Sequence, residues 1–109
     1  MTPDKNPAEE IRNEKPLFIA LKSEYYAQFE SGGKTTEYRL YGPRWNEQTC
    51  RIGRAVTLSN GYGTAHRMSR TISRFYKRDA RAFGDIVQKA ILDCYGTLDK
   101  PIAVIRMKK

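Results

Sequence analysis

Between residues 33 and 39 the chain reads Gly-Lys-Thr-Thr-Glu-Tyr-Arg, which places an ammonium, a carboxylate and a guanidinium close together. If Thr35–Tyr41 is a strand, alternation points Thr35, Glu37 and Arg39 one way and Thr36, Tyr38 and Leu40 the other. Glu37 and Arg39 then sit about 7 Å apart along one face, with Lys34 joining them from the edge of a glycine turn. A carboxylate accepts from the exocyclic amine of cytosine, while Lys or Arg engages phosphate or a base carbonyl. Lys34, Thr35, Glu37 and Arg39 are therefore candidate ligand contacts. For catalysis, Lys34 and Glu37 are the only acid–base pair the stretch offers. A lysine serves there only if its pKa falls well below its usual value of about 10.4. The same residues can also form a Lys34–Glu37 or Glu37–Arg39 ion pair that does no more than fix the local backbone.

A second set lies downstream: Arg67, Arg70 and Arg74, followed by Lys77, Arg78 and Arg81. On a regular strand Arg70 and Arg74 share a face and Arg67 looks the other way. Tyr62, in the turn Asn60-Gly61-Tyr62-Gly63, is placed at a loop tip and is available to stack on an unpaired base. Trp45 either does the same or covers one end of the core, and Phe75 belongs to the core. Cys94 falls on an apolar helix face and reads as buried, Cys50 as exposed. With one His and two distant cysteines, neither a metal site nor a disulfide is expected, and no cofactor is implied.

The charge distribution favours an anionic partner. Of 109 residues, 20 are Lys or Arg and 12 are Asp or Glu, a net charge of +8. The excess is concentrated in residues 31–81, where every basic residue except Lys34 and Lys77 is Arg. Arg suits planar recognition of phosphate and stacking on bases. A basic face that docks an acidic protein, making the chain a regulatory adaptor, is the other reading. No run of 18 apolar residues occurs, so no membrane helix is expected, and the polar N-terminal stretch lacks the apolar centre of a signal peptide. The expected compartment is the cytoplasm.

These side chains need elements to position them. Residues 1–15 are polar and read as a flexible lead-in with a helical turn at Ala8–Arg12, leaving 16–109 as one domain. Leu17–Lys22 reads as a buried strand, and Ser23 as the cap of a helix Glu24–Ser31 stopped by Gly32 and Gly33. Strands follow at Thr35–Tyr41 and Ala55–Ser59, and a long Gly42–Gly53 loop separates them. Arg67–Tyr76 is a strand whose mixed alternation calls for a bend or bulge. Asp85–Tyr95 is the main helix, with Ile86, Val87, Ala90, Ile91 and Cys94 at a 3.6-residue period, and Gly96 ends it. Ile102–Met107 closes the domain as a strand. Five or six strands and two helices on short connections make an α+β domain with a small curled sheet or barrel.

The segment Gly32-x-Lys34-x-x-Glu37-x-Arg39, set after a strand and a short helix, resembles the signature of the ASCH domain family, a branch of the PUA-like barrels. The order of elements over residues 16–107 is similar as well. The resemblance implies a PUA-like β-barrel with a cleft beside the motif, and RNA or a modified nucleotide as ligand. It also implies hydrolase alternatives, either an amidohydrolase removing the acyl group of N4-acetylcytidine or a ribonuclease. The amidohydrolase pattern asks for a Lys, a Thr three residues later and a distant carboxylate. Lys34 matches, Glu37 stands at the Thr position with Thr35 and Thr36 nearby, and Asp79 and Asp85 lie in the region of the carboxylate.

Overall fold

The computed structural model describes residues 14–109. The helical turn expected at Ala8–Arg12, and nearly all of the lead-in, lie outside the described residues. The order of elements is β1 (Leu17–Leu21), α1 (Ser23–Ser31), β2 (Thr36–Leu40), β3 (Ala55–Asn60), β4 (Arg67–Asp79), a single 3-10 turn (Ala80–Ala82), α2 (Asp85–Tyr95) and β5 (Pro101–Lys108). Both helices stop where a left-handed residue is needed, at Gly32 (φ 86°) and Gly96 (φ 74°). The cap of α1 is Lys22 rather than Ser23, whose hydroxyl instead donates to Asn60 Oδ1 at 2.8 Å.

One five-stranded sheet has the order β1-β3-β4-β5-β2. β1 pairs with β3 in parallel and every other pairing is antiparallel. The sheet curls into a half-barrel, so the fold is the α+β small barrel that the sequence predicts. Its inner face carries Ile19, Leu21, Val56, Leu58, Ile72, Ala103, Ile105 and Met107, closed by Tyr26 and Phe29 of α1 and by Trp45 and Cys50 from the 42–53 loop. A smaller cluster on the outer face packs α2, through Ile91, Val87 and Tyr95, against Ile102, Val104, Tyr38 and Tyr76. Trp45 is thus buried and covers the barrel end. The two cysteines exchange the places expected of them: Cys50 is 1% exposed and Cys94 lies on the surface. The period along α2 is real, but only Ile91 is fully buried, because the helix crosses one corner of the sheet.

β4 runs three residues past its expected end, since Lys77, Arg78 and Asp79 keep pairing with Ala103, Ile102 and Pro101 of the apolar β5. The expected bulge is at Ser73, between the pairs Ile72–Met107 and Arg74–Arg106. One extra residue reverses the facing of all that follows. Met68 and Ile72 face inward before it, and Phe75 faces inward after it. Arg70 therefore points inward, whereas Arg67 and Arg74 share the outer face, so the sharing of a face by Arg70 and Arg74 is corrected. Arg70 donates to the Phe29 carbonyl at the end of α1 (3.2 Å) and to the Ser69 carbonyl (2.8 Å). A cation there satisfies a terminal carbonyl and opposes the helix dipole. Deleting Ser73 removes only the extra residue: Ile72–Met107 and Arg74–Arg106 become consecutive pairs, and Phe75 keeps its inward place. The expected result is a cooperative thermal melt that survives the deletion, and Ser69→Ala, on the exposed face, should shift stability by less than about 0.5 kcal/mol.

Candidate functional site

β1 and β2 are the two edges of the half-barrel and are not paired with each other. The space between them is a cavity of about 410 Å³, flanked by α1 and α2. Glu37, Tyr38 and Arg39 of β2 line it, as do Lys34 from the turn before β2, Ala20 and Leu21 of β1, Tyr25 of α1, and Ile86, Val87, Ala90, Asp93, Cys94 and Tyr95 of α2. The volume is in the range that binds small organic ligands, and the wall is mostly apolar, with Lys34, Glu37 and Arg39 grouped on the β2 side.

Those groups are ordered. Glu37 is 7% exposed. Its Oε2 accepts from Arg39 Nη2 at 2.8 Å and from Nε at 3.1 Å, and the same Nη2 donates to the Ala20 carbonyl at 2.8 Å. One guanidinium therefore links edge strand β2 to edge strand β1, and its carbon lies 5.2 Å from the centre of the Trp45 ring. The Glu37–Arg39 ion pair is thus present and structural. Glu37 Oε1 receives only a 3.3 Å bond from the Tyr38 amide and a 3.9 Å approach from Lys34 Nζ. It keeps acceptor capacity beside the cavity.

Lys34 is the unusual member. Its ammonium lies 5.2 Å from the ring centres of Tyr25 and Tyr38 and 5.6 Å from that of Phe29. Among the described residues Glu37 is its only anionic neighbour within 4 Å. Burial lowers the Lys34 pKa, and the Glu37 charge opposes that shift only in part. Burial also raises the Tyr25 and Tyr38 hydroxyls and lifts Tyr95 to about 12. Tyr95 donates to the Tyr38 carbonyl at 2.6 Å, which ties α2 to β2 behind the cavity.

Of the sequence-predicted site residues, Lys34, Glu37 and Arg39 come together here. Thr35 does not: it is exposed, precedes β2 and does not line the cavity, while Thr36 faces outward opposite Arg106. Tyr62, Arg67, Arg70 and Arg74 also lie away from it. Asp79 caps the 3-10 turn by accepting from the Arg81 amide, and Asp85 is in the first turn of α2. The cavity carboxylate that the sequence reading missed is Asp93, 3.2 Å from Lys89. The aromatic box around Lys34 was missed as well. Its one sequence signal is Tyr25 lying a helical turn before Phe29, ahead of a lysine that follows a double glycine.

No family model matches the sequence, and no curated protein does. Among solved structures, the chain is similar to the crystal structure of a ZmASCH mutant protein from Zymomonas mobilis, with a TM-score of 0.63 and 14% identity. The match covers 88% of this chain and 70% of that one. At that identity the likeness is one of fold, and the fold is the one implied by the Gly32-x-Lys34-x-x-Glu37-x-Arg39 segment.

Two outcomes test the site. Arg39→Ala removes the strand-to-strand link and leaves Glu37 shielded without its partner, and should cost about 2–4 kcal/mol in urea unfolding. Arg39→Lys should recover less than half, because an ammonium cannot reproduce the planar fork. Separately, a lowered pKa leaves Lys34 a larger neutral fraction at any pH below it. With limiting acetic anhydride at pH 8, peptide mass spectrometry should show Lys34 acylated ahead of the exposed Lys108. Equal or slower labelling would count against a depressed Lys34.

Proposed function

We propose that this ASCH-like domain binds RNA or a modified nucleotide, with one base in the open seam between β1 and β2. The observation that carries the reading is the pairing of Lys34, an ammonium in an aromatic box with donors to spare, with Glu37 Oε1, an acceptor to spare. A planar base that offers a carbonyl and an exocyclic amine satisfies both at once, as a cytosine-like edge does. Tyr25, Tyr38 and Val87 supply apolar wall for its faces, and Ile86, 87% exposed at the rim, gains cover when the seam is filled. Arg39 acts by holding Glu37 in place. Of the arginine-rich strand, Arg70 leaves the list of ligand contacts because its guanidinium serves α1.

The hydrolase reading stays second, on one observation: burial lowers the Lys34 pKa toward the range useful for a base or nucleophile. The Thr it asks for is absent from the cavity, and Asp93 is the carboxylate that lines it.

Calorimetry with cytidine monophosphate and N4-acetylcytidine tests the binding reading, with chromatography following the nucleoside and a mixed RNA in parallel. Lys34→Ala and Glu37→Gln should each weaken nucleotide binding about tenfold or more, since each removes a charged hydrogen-bond partner. No binding by the wild type, or binding indifferent to both changes, would defeat it. Loss of the acetyl group, or RNA cleavage, that disappears in Lys34→Ala would replace it with the corresponding hydrolase.

A further inference from the structure

The outer face of the half-barrel is only partly covered. α2 occupies the corner over Tyr38, Ile102, Val104 and Tyr76. Across β1, β3 and the first half of β4, no helix of the described residues lies on it. The registers place Phe18, Thr57 and Ser69 in one row and Ala20, Ser59 and Arg67 in the next. Just before the bulge Thr71 lies opposite Lys108, and just beyond it Arg74 lies opposite Arg106. The outward positions of the strands here carry small polar, basic or apolar side chains and no carboxylate. Arg67, Arg74, Arg106 and Lys108 are exposed, and none forms a salt bridge among the described residues.

One end of this face has a stacking group. The Phe18 ring centre lies 6.2 Å from that of Tyr62, and the Arg67 guanidinium lies 5.2 Å over Phe18. Tyr62 is 84% exposed. Arg67 is further oriented by donating to the Gly63 carbonyl at 3.2 Å. At the other end Arg74 stacks on Tyr76 at 4.7 Å. The two ends are separated by about 20 Å of strand, with Ser69 and Thr71 between them on β4. An aromatic platform with cations spaced along a carboxylate-free track is the arrangement that holds a single strand, because every base has a face to stack and every nucleotide a phosphate. A rigid duplex offers no free base to Tyr62.

We propose that this outer face, from Phe18, Tyr62 and Arg67 to Arg74 and Arg106, is a track for single-stranded RNA, distinct from the seam cavity. The choice of RNA rests on the nucleotide reading of that cavity. The track uses different side chains and needs no base in the seam.

Fluorescence anisotropy with a labelled 12-nucleotide single-stranded RNA of mixed sequence, across a salt series, tests it. The double variant Arg67→Ala/Arg74→Ala should weaken binding at least tenfold. It should also reduce the slope of log K against log salt by about 1.4, for two lost phosphate contacts. Tyr62→Ala should weaken binding about tenfold with its slope unchanged, since it removes stacking and no charge. All three side chains are exposed, and a thermal melt checks that the variants stay folded. Oligomer affinity that falls in Lys34→Ala and is untouched in the double variant overturns the track. So does equal affinity for a blunt duplex of the same sequence. Free-nucleotide binding, read separately by calorimetry, reports on the seam: its absence while oligomer binding follows Arg67 and Arg74 defeats the seam reading and supports the track.

Discussion

A five-stranded sheet that curls without closing has two unpaired edges, and here the contact across them is made by one guanidinium. Arg39 reaches from β2 to the Ala20 carbonyl of β1 while both of its near nitrogens bind Glu37 and its plane lies by Trp45. A solvated ion pair contributes little, but Glu37 is shielded, so the pair sets geometry even where its net energy is small. The seam stays open as a cavity of about 410 Å³ because a side chain, not a ladder of backbone bonds, spans it. Covering its rims with α1 and α2 also protects the edge strands from pairing with other chains.

The bulge at Ser73 is the second constraint, and it divides the arginines by task. Before it, Arg70 is directed inward to the end of α1. Outside, Arg67 and Arg74 lie on the same face although seven residues apart. Arg51 and Arg54 are engaged by Glu14, and Arg54 also donates to the Lys15 carbonyl. The count of 20 Lys and Arg therefore overstates the cations available to a partner, and says nothing of where the rest are placed.

The elements were legible because each is marked locally. Gly32 and Gly96 stop two helices, the period along Asp85–Tyr95 gives the second helix with the bounds it has in the structure, and β-branched runs give the strands. The seam triad was legible because three ionisable groups fall within six residues. What could not be read was facing. Alternation through β4 is correct only on a regular strand, and a bulge can be suspected from mixed patterning without its position being fixed. Cys50 and Cys94 were exchanged for a related reason. The 42–53 loop folds inward around Asn46, whose side chain bonds the Gly42 carbonyl and the Gln48 and Thr49 amides, and so buries Cys50. Meanwhile α2 turns part of its apolar face to a cavity instead of a core.

That cavity explains why Lys34 is where it is. A half-buried ammonium gives up hydration, and the lowered pKa records that loss. Three aromatic rings return part of it through their faces, and Glu37 at 3.9 Å returns a little more. The remainder is unmet, since the side chain has three donors and no short hydrogen bond among the described residues. If stability alone shaped the site, an apolar side chain of the same length would fill the box without the desolvation cost. The binding proposed above accounts for this: an incompletely satisfied cation beside an incompletely satisfied carboxylate would be met by a molecule that brings an acceptor and a donor on one rigid edge. On that proposal, the energy withheld from folding would be released on binding.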